Sequence, residues 1–220
     1  MRLSRKLTLL PLLLLQPAIM FGQDAHALAG KVDQRYNRMH SLEARFTETY
    51  TGAGATRTEG GTLLIKKPGR MRWDYDTPRP KLFVTDGNMA WFYVPGEQQA
   101  RRSPIKQLDD LRSPLRYLLG KSKLEKELTG LSIASNAKPL NAGGVVLRGV
   151  PRGMQDRISE TLLEVAPDGA ITRIRVEELD GSITDLRFLQ QKEDVQVADS
   201  KFQFTPPPGV EIVTGTGVTE

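Results

Sequence analysis

The sequence predicts a mainly β protein with helices (α+β), a single domain in which two amphipathic helices accompany one curved antiparallel sheet. Three observations support this prediction. Strand-like segments with alternating apolar side chains fill most of the chain. Short turns rich in Gly, Pro and Asp join successive segments, so that neighbouring strands must run antiparallel. The 220 residues, 39% of them apolar, suffice for one substantial hydrophobic core.

The first 27 residues predict a cleaved secretion signal peptide. A basic start that ends at Lys6 precedes an apolar run from Leu7 to Leu15, and Ala25-His26-Ala27 forms an A-x-A cleavage pattern. The run is shorter than the roughly 20 residues of a membrane-spanning helix, which disfavours the alternative, a retained membrane anchor. We therefore expect residues 28–220 to form the mature, exported domain.

The composition excludes several functional classes. The chain has no Cys, so disulfides, thiolate metal sites, a cysteine nucleophile and bacterial lipidation are all excluded. Its two histidines, His26 and His40, are too few for a multi-His metal site. Residues 1–27 contribute +2 of the net charge of +5, and the remaining +3 is weak evidence for nucleic-acid binding. We therefore expect no metal, no cofactor and no nucleic-acid partner.

Hydrophobic periodicity predicts a helix from Leu28 to Phe46. Its apolar stripe recurs at steps of three and four and consists of Val32, Tyr36, Met39 and Phe46, interrupted by Glu43. The opposite side is charged, which is typical of a surface helix that packs on a core. A second helix is predicted in the middle of the chain, where Ser113 is a plausible N-cap, Pro114 suits the first helical position and Gly120 ends the helix.

Alternating side chains and turn signals predict eight strands. They cover residues 61–67, 70–75, 81–85, 89–94, 145–150, 158–166, 170–179 and 182–190. The short connections Asp86-Gly87, Pro167-Asp168-Gly169 and Asp180-Gly181 are hairpin signals. Strands joined in this way form a meander, in which each strand pairs with its neighbour in the sequence.

Large apolar side chains are concentrated on two of these strands. Met71, Trp73 and Tyr75 share one face of their strand, and Trp91 and Tyr93 share one face of another. If these two faces converge, they form a concave aromatic surface of the kind that binds apolar ligands. The alternative is an ordinary core beneath the helices, because a packed core and an apolar cavity produce the same pattern.

Motifs for catalysis are weak or missing. A serine triad needs His, and the chain has no G-x-S-x-G segment. Gly120-Lys121-Ser122 lacks the upstream Gly of a phosphate-binding loop and follows a predicted helix rather than a strand. The adjacent carboxylates Asp109-Asp110 are typical of a solvated surface. We therefore expect the protein not to be an enzyme.

Several segments resemble, in order and at similar spacing, the periplasmic outer-membrane lipoprotein carrier family, LolA. These segments are 41–47 (SLEARFT), 60–68 (GGTLLIKKP), 71–73 (MRW), 84–87 (VTDG) followed by 91–93 (WFY), and 202–210 (FQFTPPPGV). Together they span nearly all of the predicted mature chain. The export signal and the missing lipidation Cys agree with a carrier of this family.

The resemblance implies an unclosed β-barrel, covered by a lid of amphipathic helices around an apolar cavity. The cavity of such a carrier takes the acyl chains of triacylated lipoproteins. The carrier accepts this cargo from an inner-membrane ABC transporter and delivers it to an outer-membrane receptor. We therefore expect a periplasmic lipoprotein chaperone that acts as a monomer.

Site residues follow from the same resemblance. It implies an acyl-chain site formed by Tyr36, Leu63, Ile65, Met71, Trp73 and Trp91. Lys67 matches a family arginine that hydrogen-bonds the lid and couples lid opening to loading; lysine keeps the charge but loses the two-armed guanidinium. Tyr36 stands where the family has a lid leucine, so its hydroxyl needs a partner when the lid is closed.

Two other functional classes remain open from the sequence. One is a periplasmic sensor domain of related fold that binds lipid or lipoprotein without transferring it. The other is an exported enzyme that uses acidic residues on the sheet, which requires a carboxylate pair in a cleft. Transfer of cargo to a receptor distinguishes the carrier from the sensor.

Overall fold

The computed structural model describes residues 24–105, 116–119 and 123–214. The helices in these ranges are α1 (Ala25–Arg38), α2 (Arg116–Leu119) and α3 (Leu124–Glu127), together with a 3₁₀ helix at Asp199–Phe202. The strands are β1 (Ser41–Gly52), β2 (Ala55–Lys66), β3 (Arg70–Thr77), β4 (Lys81–Asp86), β5 (Met89–Tyr93), β6 (Gln99–Pro104), β7 (Leu128–Ile133), β8 (Val145–Pro151), β9 (Ile158–Val165), β10 (Ile171–Glu178), β11 (Ile183–Glu193) and β12 (Glu211–Thr214).

The described strands form a single open sheet in the order β12-β6-β5-β4-β3-β2-β1-β11-β10-β9-β8-β7. Two antiparallel meanders, β1 to β6 and β7 to β11, meet where β1 pairs with β11. The short strand β12 is the exception, because it pairs with β6 in parallel. Since β7 and β12 are edges in this order, the sheet does not close. The predicted curved sheet with few helices is therefore confirmed.

All eight predicted strands are present, as β2 to β5 and β8 to β11. The Asp86-Gly87 hairpin is also confirmed. Gly87 has a φ of 103°, a backbone conformation that favours glycine, and the Asp86 carboxylate accepts the backbone N–H groups of Asn88 and Met89. Four strands escaped the sequence analysis, namely β1, β6, β7 and β12.

The predicted helix from Leu28 to Phe46 is wrong in its last third. Helix α1 ends at Arg38, and β1 begins at Ser41. Leu42, Ala44 and Phe46 are buried positions of this strand and recur every second residue, whereas the predicted helical stripe continues from Met39 through Glu43 to Phe46. The strand conformation prevails because β1 pairs along its length with both β2 and β11. Local periodicity does not reveal those two partners.

The predicted middle helix and the predicted signal peptide lie partly outside the described residues. Ser113, Pro114 and Gly120, which define the predicted middle helix, lie outside them, and α2 falls within that segment. The predicted signal peptide also lies outside them up to residue 23. Asp24 is the N-cap of α1, and its carboxylate accepts the backbone N–H of His26. The predicted boundary after Ala27 therefore falls inside α1, and the domain limits remain a prediction.

A C-terminal strap, defined as residues 195–210, crosses the outer face of β3 and β4. Arg72 donates from Nη1 to the carbonyl oxygen of Lys201 at 3.1 Å. Lys66 donates from Nζ to the carbonyl oxygen of Val197 at 2.7 Å and to Asp199 at 2.6 Å. Phe202, which belongs to the strap, is fully buried. The strap therefore covers the sheet on the side opposite α1.

Candidate functional site

The inner face of the sheet is a continuous apolar surface. Leu63 lies opposite Ala44 on one side and Trp73 on the other, and Ile65 lies opposite Leu42 and Met71. Directly opposed residues project from the same face of a sheet. Four of these side chains, Leu63, Ile65, Met71 and Trp73, are no more than 5% exposed. The structure thus brings together four of the six predicted acyl-chain residues.

An aromatic cluster lies at the centre of this face. The ring of Phe46 lies 4.4 Å from that of Trp73 and 5.0 Å from that of Tyr75, centroid to centroid, in edge-to-face contacts. Gly61 lies between Phe46 and Tyr75 in the register. A Cβ on Gly61 would lie 2.0 Å from the carbonyl oxygen of Asp74, so only glycine allows β2 and β3 to approach this closely.

Helix α1 covers the inner face with its apolar stripe. Leu28, Val32, Tyr36 and Met39 are buried in the same hydrophobic cluster as the inner-face residues. The helical stripe predicted from Val32 to Met39 is therefore confirmed, and Tyr36 joins the other predicted site residues. Because α1 shields this surface from water together with Tyr117, Leu118 and Leu124 of α2 and α3, movement of α1 would expose part of it.

Lys67 holds the C-terminal end of α1. Its ammonium group donates a hydrogen bond to the carbonyl oxygen of Tyr36. Carbonyls in the last turn of a helix have no partner four residues ahead, and the N–H of His40 donates to Asp194 at 2.8 Å instead. A cation at this end also interacts favourably with the helix dipole. Lys67 therefore contacts the lid helix, as the family resemblance implies.

The hydroxyl of Tyr36 finds its partner in the sheet. It accepts the backbone N–H of Ile171 at 2.9 Å and lies 3.4 Å from Oε1 of Gln191. The amide of Gln191 donates to the carbonyl oxygen of Ile171 at 2.8 Å. Burial raises the pKa of Tyr36, so this hydroxyl stays protonated and is able to donate to Gln191.

Arg35 binds the same end of α1 to the end of β11 and to the turn between β9 and β10. Its Nε lies 2.5 Å from Glu193, and its Nη1 lies 2.8 Å from a carboxylate oxygen of Asp168. Burial lowers the pKa of Arg35, but the charges of Glu193 and Asp168 outweigh burial and leave this pKa above its usual value. One helical turn earlier, Lys31 donates to the carbonyl oxygen of Pro167 at 3.1 Å. The polar contacts of α1 with the sheet and its β9–β10 turn therefore include those of Lys31, Arg35 and Tyr36.

Asp33, which lies between Lys31 and Arg35 in the sequence, and His26 connect α1 to α3. The carboxylate of Asp33 accepts the backbone N–H of Leu124 at 3.1 Å through each of its oxygens. Burial raises the pKa of Asp33, and the hydrogen bond from Leu124 opposes this effect. His26 lies 2.8 Å from Glu125 in an exposed pair. These contacts join the two helices into one cover.

The inner face becomes charged beyond Phe46. Glu48 and Glu59 lie directly opposite each other on β1 and β2. Lys81 lies 2.7 Å from Glu59, and the hydroxyl of Tyr75 donates to Glu48 at 3.1 Å. Burial raises the pKa of Glu48; the hydrogen bond from Tyr75 opposes this, and the charge of Glu59 adds to it. This cluster marks the polar end of the apolar surface.

Trp91, by contrast, lies on the outer face. Val84 is directly opposite both Arg72 and Trp91, so these three residues share a face. Arg72 alternates with Trp73 along β3 and therefore points away from it. Phe83 is paired with Trp73 on one side and with Phe92 on the other, so Phe83 and Phe92 continue the inner face instead.

The predicted convergence of the two aromatic faces is therefore wrong for Trp91 and Tyr93. Tyr93 packs against Phe204 of the C-terminal strap, with ring centroids 5.6 Å apart. Side-chain alternation assigns residues to one of two faces within a strand, but only the register between strands determines which faces coincide. The sequence pattern of Trp91 and Tyr93 therefore does not reveal that they lie on the outer face.

Sequence analysis also missed residues that hold the lid. Arg35 lies on the charged side of the predicted helix, and Gln191 and Glu193 lie beyond the last predicted strand, which ends at residue 190. Arg35 and Tyr36 contact sheet residues that lie more than 130 positions away in the chain, Gln191 and Glu193 among them, so no local signal identifies these contacts. Leu42 and Phe46 were missed on the inner face because their segment was assigned to a helix.

Together, these residues form a covered apolar surface with polar contacts at its margin. Among residues 24–105, 116–119 and 123–214, no group of three or more His, Asp or Glu side chains is arranged to hold a metal ion. Within the same ranges, every helix is too short or too polar to cross a membrane. The chemistry available on the inner face is the burial of apolar surface.

Comparison with known proteins identifies a family. The family model described as "Outer membrane lipoprotein carrier protein LolA" matches residues 37–205. The outer-membrane lipoprotein carrier protein of Sodalis glossinidius is 29% identical over 194 residues, which cover 87% of this chain and 88% of that protein. The carrier protein of Nitrosomonas europaea is 24% identical over 183 residues, covering 80% and 84%.

Solved structures also resemble the chain, at lower identity. A LolA superfamily protein from Nitrosomonas europaea aligns with 15% identity and a TM-score of 0.45, over 83% of this chain and 99% of that one. LprF from Mycobacterium bovis aligns with 12% identity and a TM-score of 0.48, over 79% and 94%. The family match extends over well more than half of the sequence and includes β1 to β11. The chain is therefore a member of the LolA family of outer-membrane lipoprotein carrier proteins.

Proposed function

We propose that this protein is a periplasmic carrier that binds the acyl chains of triacylated lipoproteins. It accepts them from an inner-membrane ABC transporter, acts as a monomer and delivers them to an outer-membrane receptor. Residues 1–27 direct its export. Tyr36, Leu63, Ile65, Met71 and Trp73 contact the acyl chains, and Lys67 couples the lid to loading. The family membership supports the lipoprotein cargo.

The energetics of an acyl chain require such a carrier. Each methylene transferred from water gains about 0.8 kcal/mol, so a long chain does not cross an aqueous space unescorted. Release requires that the acyl chain is not bound too tightly, because the carrier must then transfer it to the receptor. Closure of α1 over the empty inner face buries the same apolar surface again, which offsets part of the binding free energy.

The observation that carries this proposal is the bond from Lys67 to the carbonyl oxygen of Tyr36. It joins the rim of the apolar face to the end of the helix that covers it. Because the acceptor is a backbone carbonyl, breaking this bond removes one of the contacts that hold the end of α1, beside those of Arg35 and the Tyr36 hydroxyl, without rearranging the inner face. The buried surface and its releasable cover fit a site that opens for an apolar ligand and closes without one.

A lipoprotein release assay tests the proposal. Inner-membrane vesicles that contain the transporter and a radiolabelled lipoprotein receive the purified protein, and the supernatant is examined for a one-to-one complex. We expect a complex that then delivers its cargo to outer membranes. Binding without delivery, in the presence of the receptor, would indicate a sensor domain. Folded protein that releases no lipoprotein would contradict the proposal.

Two matched variants locate the binding surface in that assay. Met71→Gln makes the inner face polar at nearly unchanged volume, whereas Met89→Gln makes the same change on β5 at a half-buried position facing outward. We expect the first variant to lose most of its lipoprotein release and the second to keep it. Equal activity of both variants would exclude the inner face as the acyl-chain site.

A further inference from the structure

The backbone of Ile171 lacks a strand partner on the side of β11. The pairing of β10 with β11 begins at Arg173, opposite Arg187, while Ile171 pairs only with Val165 of β9. The backbone of Gln190, near the end of β11, adopts a left-handed conformation with a φ of 53°, which ends the regular ladder. A gap in backbone pairing therefore lies at this point, and we call it the Ile171 niche.

Two side chains occupy the Ile171 niche in place of a strand. The amide of Gln191 donates to the Ile171 carbonyl oxygen at 2.8 Å, and the Tyr36 hydroxyl accepts the Ile171 N–H at 2.9 Å. Ile171 is fully buried and Tyr36 is 1% exposed. A buried backbone N–H without a partner is costly, so this N–H needs an acceptor in every state of the protein.

The Tyr36 hydroxyl is available only while the lid is closed, because Tyr36 belongs to α1. The Gln191 amide belongs to the sheet and keeps its bond to the Ile171 carbonyl when the helix moves. Opening removes the acceptor of the Ile171 N–H, at 2.9 Å, and the more distant donor to Oε1 of Gln191, at 3.4 Å, and the N–H lies at the edge of the apolar cluster that contains the side chain of Ile171. The group that replaces the hydroxyl must therefore be an acceptor carried next to apolar chains.

We infer that the Ile171 niche binds an ester carbonyl of the acyl ligand, and that the Tyr36 hydroxyl occupies the niche in the empty protein. The inference rests on the proposed function and adds a polar subsite to it. Acyl chains in esters and amides carry a carbonyl at their polar end, and a carbonyl oxygen is the natural acceptor for a backbone N–H. The subsite selects acyl groups over alkyl chains of equal length.

A comparison of ester-linked and ether-linked ligands tests the Ile171 niche separately from the proposed carrier function. The probes are a dipalmitoyl-glyceryl peptide and its dihexadecyl ether analogue, which share chain length and differ in their carbonyls. We expect the ester to bind with a Kd about threefold to tenfold lower, the contribution of one hydrogen bond. In nuclear magnetic resonance spectra, the amide proton of Ile171 should stay hydrogen-bonded with the ester and lose its downfield shift with the ether.

Equal affinities for both probes, with an unchanged Ile171 amide signal, would overturn the niche and leave the carrier proposal intact. Failure of both probes to bind would overturn the proposed function itself. Tyr36→Phe provides a second test, since it removes the competing hydroxyl and weakens the closed lid. Both probes should then bind more tightly while the ester-to-ether ratio persists. Tyr93→Phe, on the outer face, is the matched control and should change neither value.

Discussion

The ammonium group of Lys67, at the end of β2, is bonded to the carbonyl oxygen of Tyr36 in the last turn of α1. Lys66, its neighbour in the chain, points to the other face and holds the C-terminal strap through Val197 and Asp199. Two consecutive lysines thus secure the covers on opposite faces of one sheet. This arrangement allows each cover to be released separately.

Lys67→Met should therefore loosen α1 without unfolding the sheet. The helix loses a charge-assisted cap on a carbonyl, so hydrogen exchange of the α1 amides should accelerate about tenfold. Lys66→Met is the matched control, because it removes an ammonium group from the strap instead, and it should leave α1 exchange unchanged. Lys67→Arg should restore protection. Equal exchange of α1 in all three variants would show that Lys67 does not hold the lid.

The two tryptophans of the chain report separately on the two faces. Trp73 lies on the inner face beneath α1, whereas Trp91 lies on the outer face. In Trp91→Phe, the remaining Trp73 should change its emission wavelength when an acylated peptide binds. In Trp73→Phe, the remaining Trp91 should not respond. A response from Trp91 alone would contradict the assignment of the faces.

Glu48 should make stability depend on pH in a predictable direction. Burial raises its pKa above the ordinary value of 4.5, so the folded protein binds this proton more tightly than the unfolded chain. Stability therefore falls as the pH rises from 4.5 through the raised pKa, and ionised Glu48 remains a cost at neutral pH.

The variant Glu48→Gln removes that ionisation. It should be more stable than the wild type at about pH 7.5, by on the order of 1 kcal/mol, and the difference should vanish near pH 4. Urea unfolding at both pH values measures the effect. Glu97→Gln, at an exposed position, should show no such change. If Glu48→Gln is less stable than the wild type at neutral pH, the ionised carboxylate of Glu48 stabilises the folded protein and the prediction is wrong.

The C-terminal strap should matter for stability more than for binding. Phe202 is fully buried against the outer face, so Phe202→Ala should lower the free energy of unfolding by about 3–4 kcal/mol. The affinity for an acylated peptide should remain within a factor of about two, because the inner face is unchanged. Phe204→Ala, at a half-buried position, should cost less stability. A large loss of affinity in Phe202→Ala would indicate that the strap and the lid are coupled.

Residues 61–94 show why much of the fold was predictable. Their strands alternate cleanly, and turns such as Asp86-Gly87 carry residues with specific backbone requirements. That Leu63 shares a face with Ile65, and Met71 with Trp73, follows from that alternation, whereas the pairing of β2 with β3 puts all four on one face. Lys67 is identified by the family resemblance, and the structure shows the bond that its ammonium group makes.

The errors have equally specific causes. The segment 41–46 has spacings that suit both periodicities, and its two partner strands decided the outcome. Trp91 alternates with its neighbours as Trp73 does, but the pairing of Val84 with both Arg72 and Trp91 puts it on the outer face. Residues 106–115, which include Asp109 and Asp110, lie outside the described ranges.

The sequence by itself determined the predicted export signal, the exclusion of cysteine chemistry, eight strands and the family resemblance, because each depends on residue type or on spacing within a short segment. Only the tertiary structure decided which aromatic residues share a face and how the lid is held. Arg35 meets Glu193, and Tyr36 meets Ile171, across more than 130 positions. Such contacts depend on strand register and on where the helix packs, and these emerge only when the whole sheet has assembled.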